Sequence, residues 1–384
     1  MKSPTRRTYG VKTANFIRQA LSGYPGGSAI ASELIQNADD AQANIIRFTF
    51  RPDALEAWND SVFREEDFEA IADIAGGHKR TDEQVVGTWG TGFLSVYHLT
   101  DAPELFSASK HLVFVPLENA VDEGASSVDQ ETLFRLPWRT EHSQVSRALE
   151  TNDLWSEEAI EQLRADIARR IYSFVLFLRH VRRIEVYGGP PGAEKLIAEV
   201  ERKVVASEVV RLIQRETWEV TYRQAGQPLM TDVWLCYRGQ IPNLPDLNDL
   251  GGLTIKDRKI ALAFPIKSRP WLEENVRGGL YNFLPTPIET KLGFQINGAY
   301  FPDNNRQTIL LDDRSQHDKV RWNRAVLSAQ VRLFVDALID IRDRVGEPRR
   351  FYDLLPLAPD APDFVDDFSR EFVAVAAERP ILYN

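Results

Sequence analysis

Cysteine is nearly absent from this 384-residue chain, with Cys236 standing alone. One thiol cannot close an internal disulfide or build a cysteine zinc site, and such sparing use points to a reducing compartment. No apolar run approaches the ~18 residues of a membrane span. The opening Met1-Lys2-Ser3-Pro4-Thr5-Arg6-Arg7 has no apolar core behind it, so a secretory signal is not indicated. The six histidines show no metal-ligand spacing. Positive charge is also short: 46 lysines and arginines face 56 acidic residues, giving a net charge of −10 and a pI near 5.3. That balance does not indicate nucleic acid as a partner, and together these absences lead to the expectation of a cytoplasmic protein without membrane attachment. What is present, 43% hydrophobic and 27% charged residues, is ordinary for a globular protein with sizeable cores.

Two strings carry chemistry. The first, Glu33-Leu34-Ile35-Gln36-Asn37-Ala38-Asp39-Asp40-Ala41, continues an apolar-periodic run from Ala29, so a helix is predicted, with Ser28 able to cap it. Residues four apart share a helical face, which puts the Glu33 carboxylate beside the Asn37 carboxamide, and Asp40 extends the stripe by a turn. An acid, an amide and a second acid on one face can hold a hydrated cation and polarise a water, a setting that suits magnesium. A single Glu-x-x-x-Asn pair is more often a solvated helix face. The second string is Gly87-Thr88-Trp89-Gly90-Thr91-Gly92, followed by the apolar run Phe93-Leu94-Ser95-Val96-Tyr97. Glycines without Cβ let backbone amides approach an anion, and a helix opening at Phe93 would favour phosphate at its amino end. Three glycines alone more often make a turn.

In this order the two strings resemble the N-box and phosphate loop of the GHKL ATPases, in the wording of sacsin-like proteins. The resemblance extends through Tyr24-Pro25-Gly26-Gly27, Thr132-Leu133-Phe134-Arg135, Leu284-Pro285-Thr286-Pro287, Asn304-Asn305-Arg306 and Trp322-Asn323-Arg324, covering roughly residues 8–330. It implies an α+β fold: a Bergerat-type sandwich of a mixed sheet with helices on one face over residues 1–150, then an α/β middle domain over 151–346. The boundary is set where the pattern turns polar, at Ser143 to Ser156. Residues 347–384, rich in Pro and Asp, form a C-terminal tail of unknown role.

Residue roles follow from the same resemblance. Glu33 is the general base, and Arg306 reaches from the middle domain to the γ-phosphate. Asn37 binds magnesium, and Asp40 is the following helix acid. Asp60 accepts the adenine amino group, although Asp60-Ser61-Val62-Phe63-Arg64 lacks both glycines of the GHKL Asp-x-Gly-x-Gly pattern. Lys79 lies at the start of the lid, while Gly87, Gly90, Thr91, Gly92 and Phe93 form the phosphate loop. Thr132 holds adenine through water, in a strand where Glu131 replaces the glycine of sacsin-like proteins. The implied activity is slow, magnesium-dependent ATP hydrolysis in a chaperone-like module, with ATP and ADP as ligands and nucleotide-driven lid closure or docking. A protein client is implied, and a homodimer is allowed. The alternatives are a non-hydrolysing nucleotide sensor in a larger assembly such as a defence system, and a MutL- or gyrase-type DNA machine.

Hydrophobic patterning further predicts helices over Thr13–Leu21, from Ser156 to Leu178 and from Val320 to Val345. It predicts strands at Ile45–Phe50, Leu105, His111–Pro116, Thr132–Pro137, Ile184–Tyr187, Trp218–Tyr222, Val233–Tyr237 and Ile260–Phe264, with Asp122–Gln130 a solvated loop.

Overall fold

The computed structural model describes residues 13–21, 28–75, 92–210, 213–242, 257–267, 278–301, 309–312, 316–345, 351, 352, 354–356 and 363–377. Of these, the residues up to Ile171 together with Arg183–Glu199 form one compact unit, and Tyr172–Arg182 with the residues from Val200 onward form a second.

The first unit opens with helices α1 (Thr13–Leu21) and α2 (Ser28–Asp40), then strands β1 (Ile45–Phe50) and β2 (Ala54–Asn59), and helix α3 (Glu65–Ala75). A short 3-10 helix (Phe93–His98) precedes β3 (Glu104–Ser107), β4 (Lys110–Val115), β5 (Ala120–Ala125) and β6 (Thr132–Pro137). Helices α4 (Gln144–Leu149) and α5 (Glu157–Phe174) and strand β7 (Arg183–Gly188) follow. The strand order is β5-β4-β3-β6-β2-β1-β7. Only the β1–β7 pair among these is parallel, so the sheet is mixed. Strand alternation makes its buried face: Thr132, Phe134 and Leu136 of β6 point inward while Leu133, Arg135 and Pro137 do not. Phe93 of the 3-10 helix packs on that face, its ring 5.1 Å from Phe114 and 5.7 Å from Phe134.

Two expectations need correction here. The polar stretch at Ser143 to Ser156 is no boundary but a helix cap inside the first unit. The Ser143 hydroxyl accepts from the amides of Val145 and Ser146, and Ser146 Oγ returns a bond from the Ser143 amide, a capping box opening α4. The Asp122–Gln130 stretch begins inside β5, an edge strand whose exposed Asp122 and Glu123 guard it against further pairing.

Strand β8 (Lys195–Val210) starts in the first unit and ends in the second. The second unit continues with β9 (Ile213–Gln224), β10 (Met230–Gln240), β11 (Lys259–Lys267), β12 (Gly279–Asn282), β13 (Leu284–Glu289), β14 (Gln295–Gly298), and helices α6 (His317–Val345) and α7 (Asp363–Ala376). Its strand order after β8 is β9-β10-β11-β14-β12-β13. Helix α6 covers β9, β10 and β11. Phe264, Phe294 and Phe334 stack at the centre, and Phe368 and Phe372 of α7 pack against Phe334. Part of the presumed tail is therefore core. No helix among the described residues is long and apolar enough to cross a membrane.

Candidate functional site

Helix α2 buries Ile30, Ala31, Leu34, Ile35 and Ala38 and leaves Glu33, Asn37 and Asp40 half-buried along its margin. Glu33, Asn37 and Asp40 thus lie along the border of the core. Asp39, buried, and Asp40, half-buried, sit in the last turn of α2.

The Glu33 carboxylate packs against the backbone of Gly92, at the head of the 3-10 helix. A Cβ on Gly92 would stand 2.6 Å from Glu33 Cδ and 3.3 Å from its Oε1, and closer still to Oε2. Gly92 has φ −63° and ψ −42°, a conformation open to any residue, so the glycine is required by the approach of Glu33 and not by its dihedrals. The two motifs, more than fifty residues apart, meet at one point. This cradle fits a site where an acid and backbone amides act on one ligand.

At its other end the 3-10 helix is gripped by Arg139. The guanidinium donates to Asp101 and to the carbonyls of Tyr97, His98, Thr100 and Asp153. Trp155 Nε1 also donates to the His98 carbonyl, at 3.0 Å. The neighbouring Tyr97 hydroxyl is held far above its ordinary pKa by burial and by the nearby Asp101. Sequence reasoning missed Arg139, since an arginine beyond an apolar strand gives no sign of what its side chain will reach.

Asp60 is employed differently from expectation. Its Oδ1 accepts from the amides of Asn44 (2.7 Å) and Ile45 (3.0 Å), and Oδ2 accepts from Asn44 Nδ2 (3.2 Å). The carboxylate thus secures the start of β1. The residue paired with Thr132 across β2 and β6 is Asn59, which is buried and accepts from the Ser61 amide and hydroxyl. Thr132 is fully buried, donates to the Ser61 carbonyl and contacts the Ser107 hydroxyl at 2.9 Å. A one-residue offset at a strand end moves a side chain to the opposite side, so Asn59 and not Asp60 shares the buried side with Thr132.

Lys79, Gly87, Gly90, Thr91 and Arg306 lie outside the described residues. Among the described residues no group of three or more His, Cys, Asp or Glu side chains could hold a metal ion. Asn37 as a lone amide ligand fits magnesium, which usually keeps several waters and takes the rest of its shell from phosphate oxygens.

With this geometry in hand, comparison with known proteins adds the following. Residues 49–131 match the Sacsin domain, a stretch holding Asn59, Gly92 and Phe93 but beginning after Glu33. The chain is 24% identical to sacsin of Homo sapiens over 87% of its own length and 9% of sacsin's. It is also 24% identical to Protein NO VEIN of Arabidopsis thaliana, over 82% of its length and 11% of that protein's. The chain therefore spans about a tenth of the length of these curated relatives. Among solved structures, the B-subunit of the DNA gyrase from Myxococcus xanthus is 9% identical, with a TM-score of 0.39, over 84% of this chain and 92% of that one. The likeness to sacsin runs through most of the chain, and its Sacsin-domain portion carries the glycine end of the candidate site.

Proposed function

We propose that the first unit binds ATP with magnesium and hydrolyses it slowly. The observation that carries this reading is the seating of the Glu33 carboxylate against Gly92, with a backbone approach that a Cβ would block. Glu33 orients water and takes its proton, while the backbone amides at Gly92 and Phe93 are assigned to the phosphate oxygens. Asn37 holds the magnesium, which when bound neutralises phosphate charge. Asp40 extends the acidic margin of α2 by one turn beyond Asn37. Asn59 and Thr132, paired in register, are assigned to the base end of the site. Arg306 is retained as the candidate for the γ-phosphate, on resemblance alone. The use of such a cycle on a protein client, as part of a longer chaperone-like chain, also follows from the likeness to sacsin.

The test is calorimetric ATP binding alongside single-turnover phosphate release, on the unmutated chain and on Glu33→Gln. The glutamine keeps size and hydrogen bonding, so binding should persist while release slows by about 10² or more. Binding without release in the unmutated chain would favour a nucleotide sensor. Equal release from both proteins would remove Glu33 from the chemistry.

A further inference from the structure

A guanidinium has five N–H donors, and Arg139 spends all five within the protein. Nε donates to Asp101 Oδ1 at 2.7 Å, Nη1 to the carbonyls of His98 (3.3 Å) and Asp153 (3.1 Å), and Nη2 to those of Tyr97 (2.5 Å) and Thr100 (3.3 Å). Its backbone N–H donates to the Leu99 carbonyl at 2.9 Å. Four consecutive carbonyls, Tyr97 to Thr100, therefore end on one residue whose side chain is 1% exposed. These are the carbonyls that a helix terminus leaves without internal partners, at the end where a cation is favoured. The second oxygen of Asp101 accepts from Ser143 Oγ at 2.5 Å, so the grip is tied to the cap of α4.

The helix held in this way is only six residues long, roughly 12 Å at ~2 Å per residue, and its opposite end begins at Gly92 against Glu33. Displacement at the carbonyl end of so short a body is carried to the glycine end. We propose that Arg139 is a positioning residue of the nucleotide site, fixing where Gly92 and Phe93 stand relative to Glu33. The proposal rests on the reading of the first unit as an ATP site.

Arg139→Lys tests it, since lysine keeps the charge but offers three donors from a single point in place of a planar fork. Affinity for ATP and turnover are measured at a temperature where circular dichroism gives the variant as fully folded. The expected result is ATP affinity weakened about tenfold and turnover reduced further, because a misplacement near 1 Å at a reacting group can cost ~10²-fold. Partial recovery of turnover in Arg139→Gly on addition of millimolar methylguanidinium is also expected. A folded Arg139→Lys that melts earlier yet binds and turns over ATP as the unmutated chain does would overturn the proposal and leave Arg139 a structural residue. If Arg139→Lys does not fold, Asp101→Asn, which loosens the grip and preserves side-chain size, is measured in the same way. Unchanged binding and turnover there would overturn the proposal equally. An unmutated chain that binds neither ATP nor ADP would overturn the reading of the site itself, and the proposal with it.

Discussion

Gly92 and Asp60 show how much a single backbone position decides. A methyl group on Gly92 meets the far end of a flexible side chain, so Glu33 can swing aside and the fold need not shift. Gly92→Ala should therefore keep the melting temperature within a few degrees, alanine being the better residue at helical dihedrals by roughly 0.5–1 kcal/mol. Turnover should fall at least as far as in Glu33→Gln. Full activity in Gly92→Ala, with the melting temperature unchanged, would mean that the carboxylate is not needed where it now sits. Asp60→Ala should do the opposite. It strips acceptors from two backbone amides and the Asn44 side chain, costing about 1–3 kcal/mol, and should leave the ATP affinity of the folded protein unchanged. A tenfold loss of affinity without loss of stability would return Asp60 to the base. Glu33 and Gly92 were legible in the sequence because helical spacing and glycine content announce themselves locally. Asp60 and Arg139 were not, because their partners are set by strand register and by carbonyls that no side-chain pattern encodes.

At the scale of elements, alternation made β1 and β6 readable to the residue, and the apolar stripe did the same for α1. Strand β8 was missed although Ala198, Val200 and Arg202 alternate inward, because from Lys203 onward nearly every side chain is exposed and the alternation stops halfway. Helix α7 was passed over amid proline and aspartate, although Phe364, Phe368 and Phe372 repeat at four-residue spacing and enter the core. The Trp322-Asn323-Arg324 string was noticed for its resemblance, and its physical purpose is a clamp in the second unit. Trp322 Nε1 donates to the Ala299 carbonyl and Arg324 Nε to that of Leu311. Asn323, wholly buried, accepts from the Phe301 amide and donates to the carbonyls of Phe301 and Leu310. Asn323→Leu preserves volume but abandons three backbone groups in the interior, so stability should fall by about 2–4 kcal/mol. Urea denaturation measures this, and a loss below about 1 kcal/mol would mean that water or a rearranged main chain replaces the clamp.

The chain divides into two compact units, and its one thiol lies in the second. Cys236 on β10 is fully buried, and burial pushes its pKa up to about 12. Thiolate is the reactive form, so at pH 8 only about one folded molecule in 10⁴ would carry it even if a reagent could enter. A thiol reagent should leave the native protein unmodified and consume one equivalent after unfolding. Labelling under native conditions then reports how often the second unit opens, provided reclosing outpaces the reagent. If Phe264, Phe294, Phe334 and α7 open as one cooperative body, a defect elsewhere in that body must accelerate labelling by its full free energy. Asn323→Leu, distant in sequence from Cys236, should thus raise the native labelling rate roughly 30- to 700-fold, the factor corresponding to 2–4 kcal/mol at 1.4 kcal/mol per decade. An unchanged labelling rate in a variant destabilised by urea measurement would show that β10 opens independently of the α6 clamp, and that the second unit is not one cooperative structure.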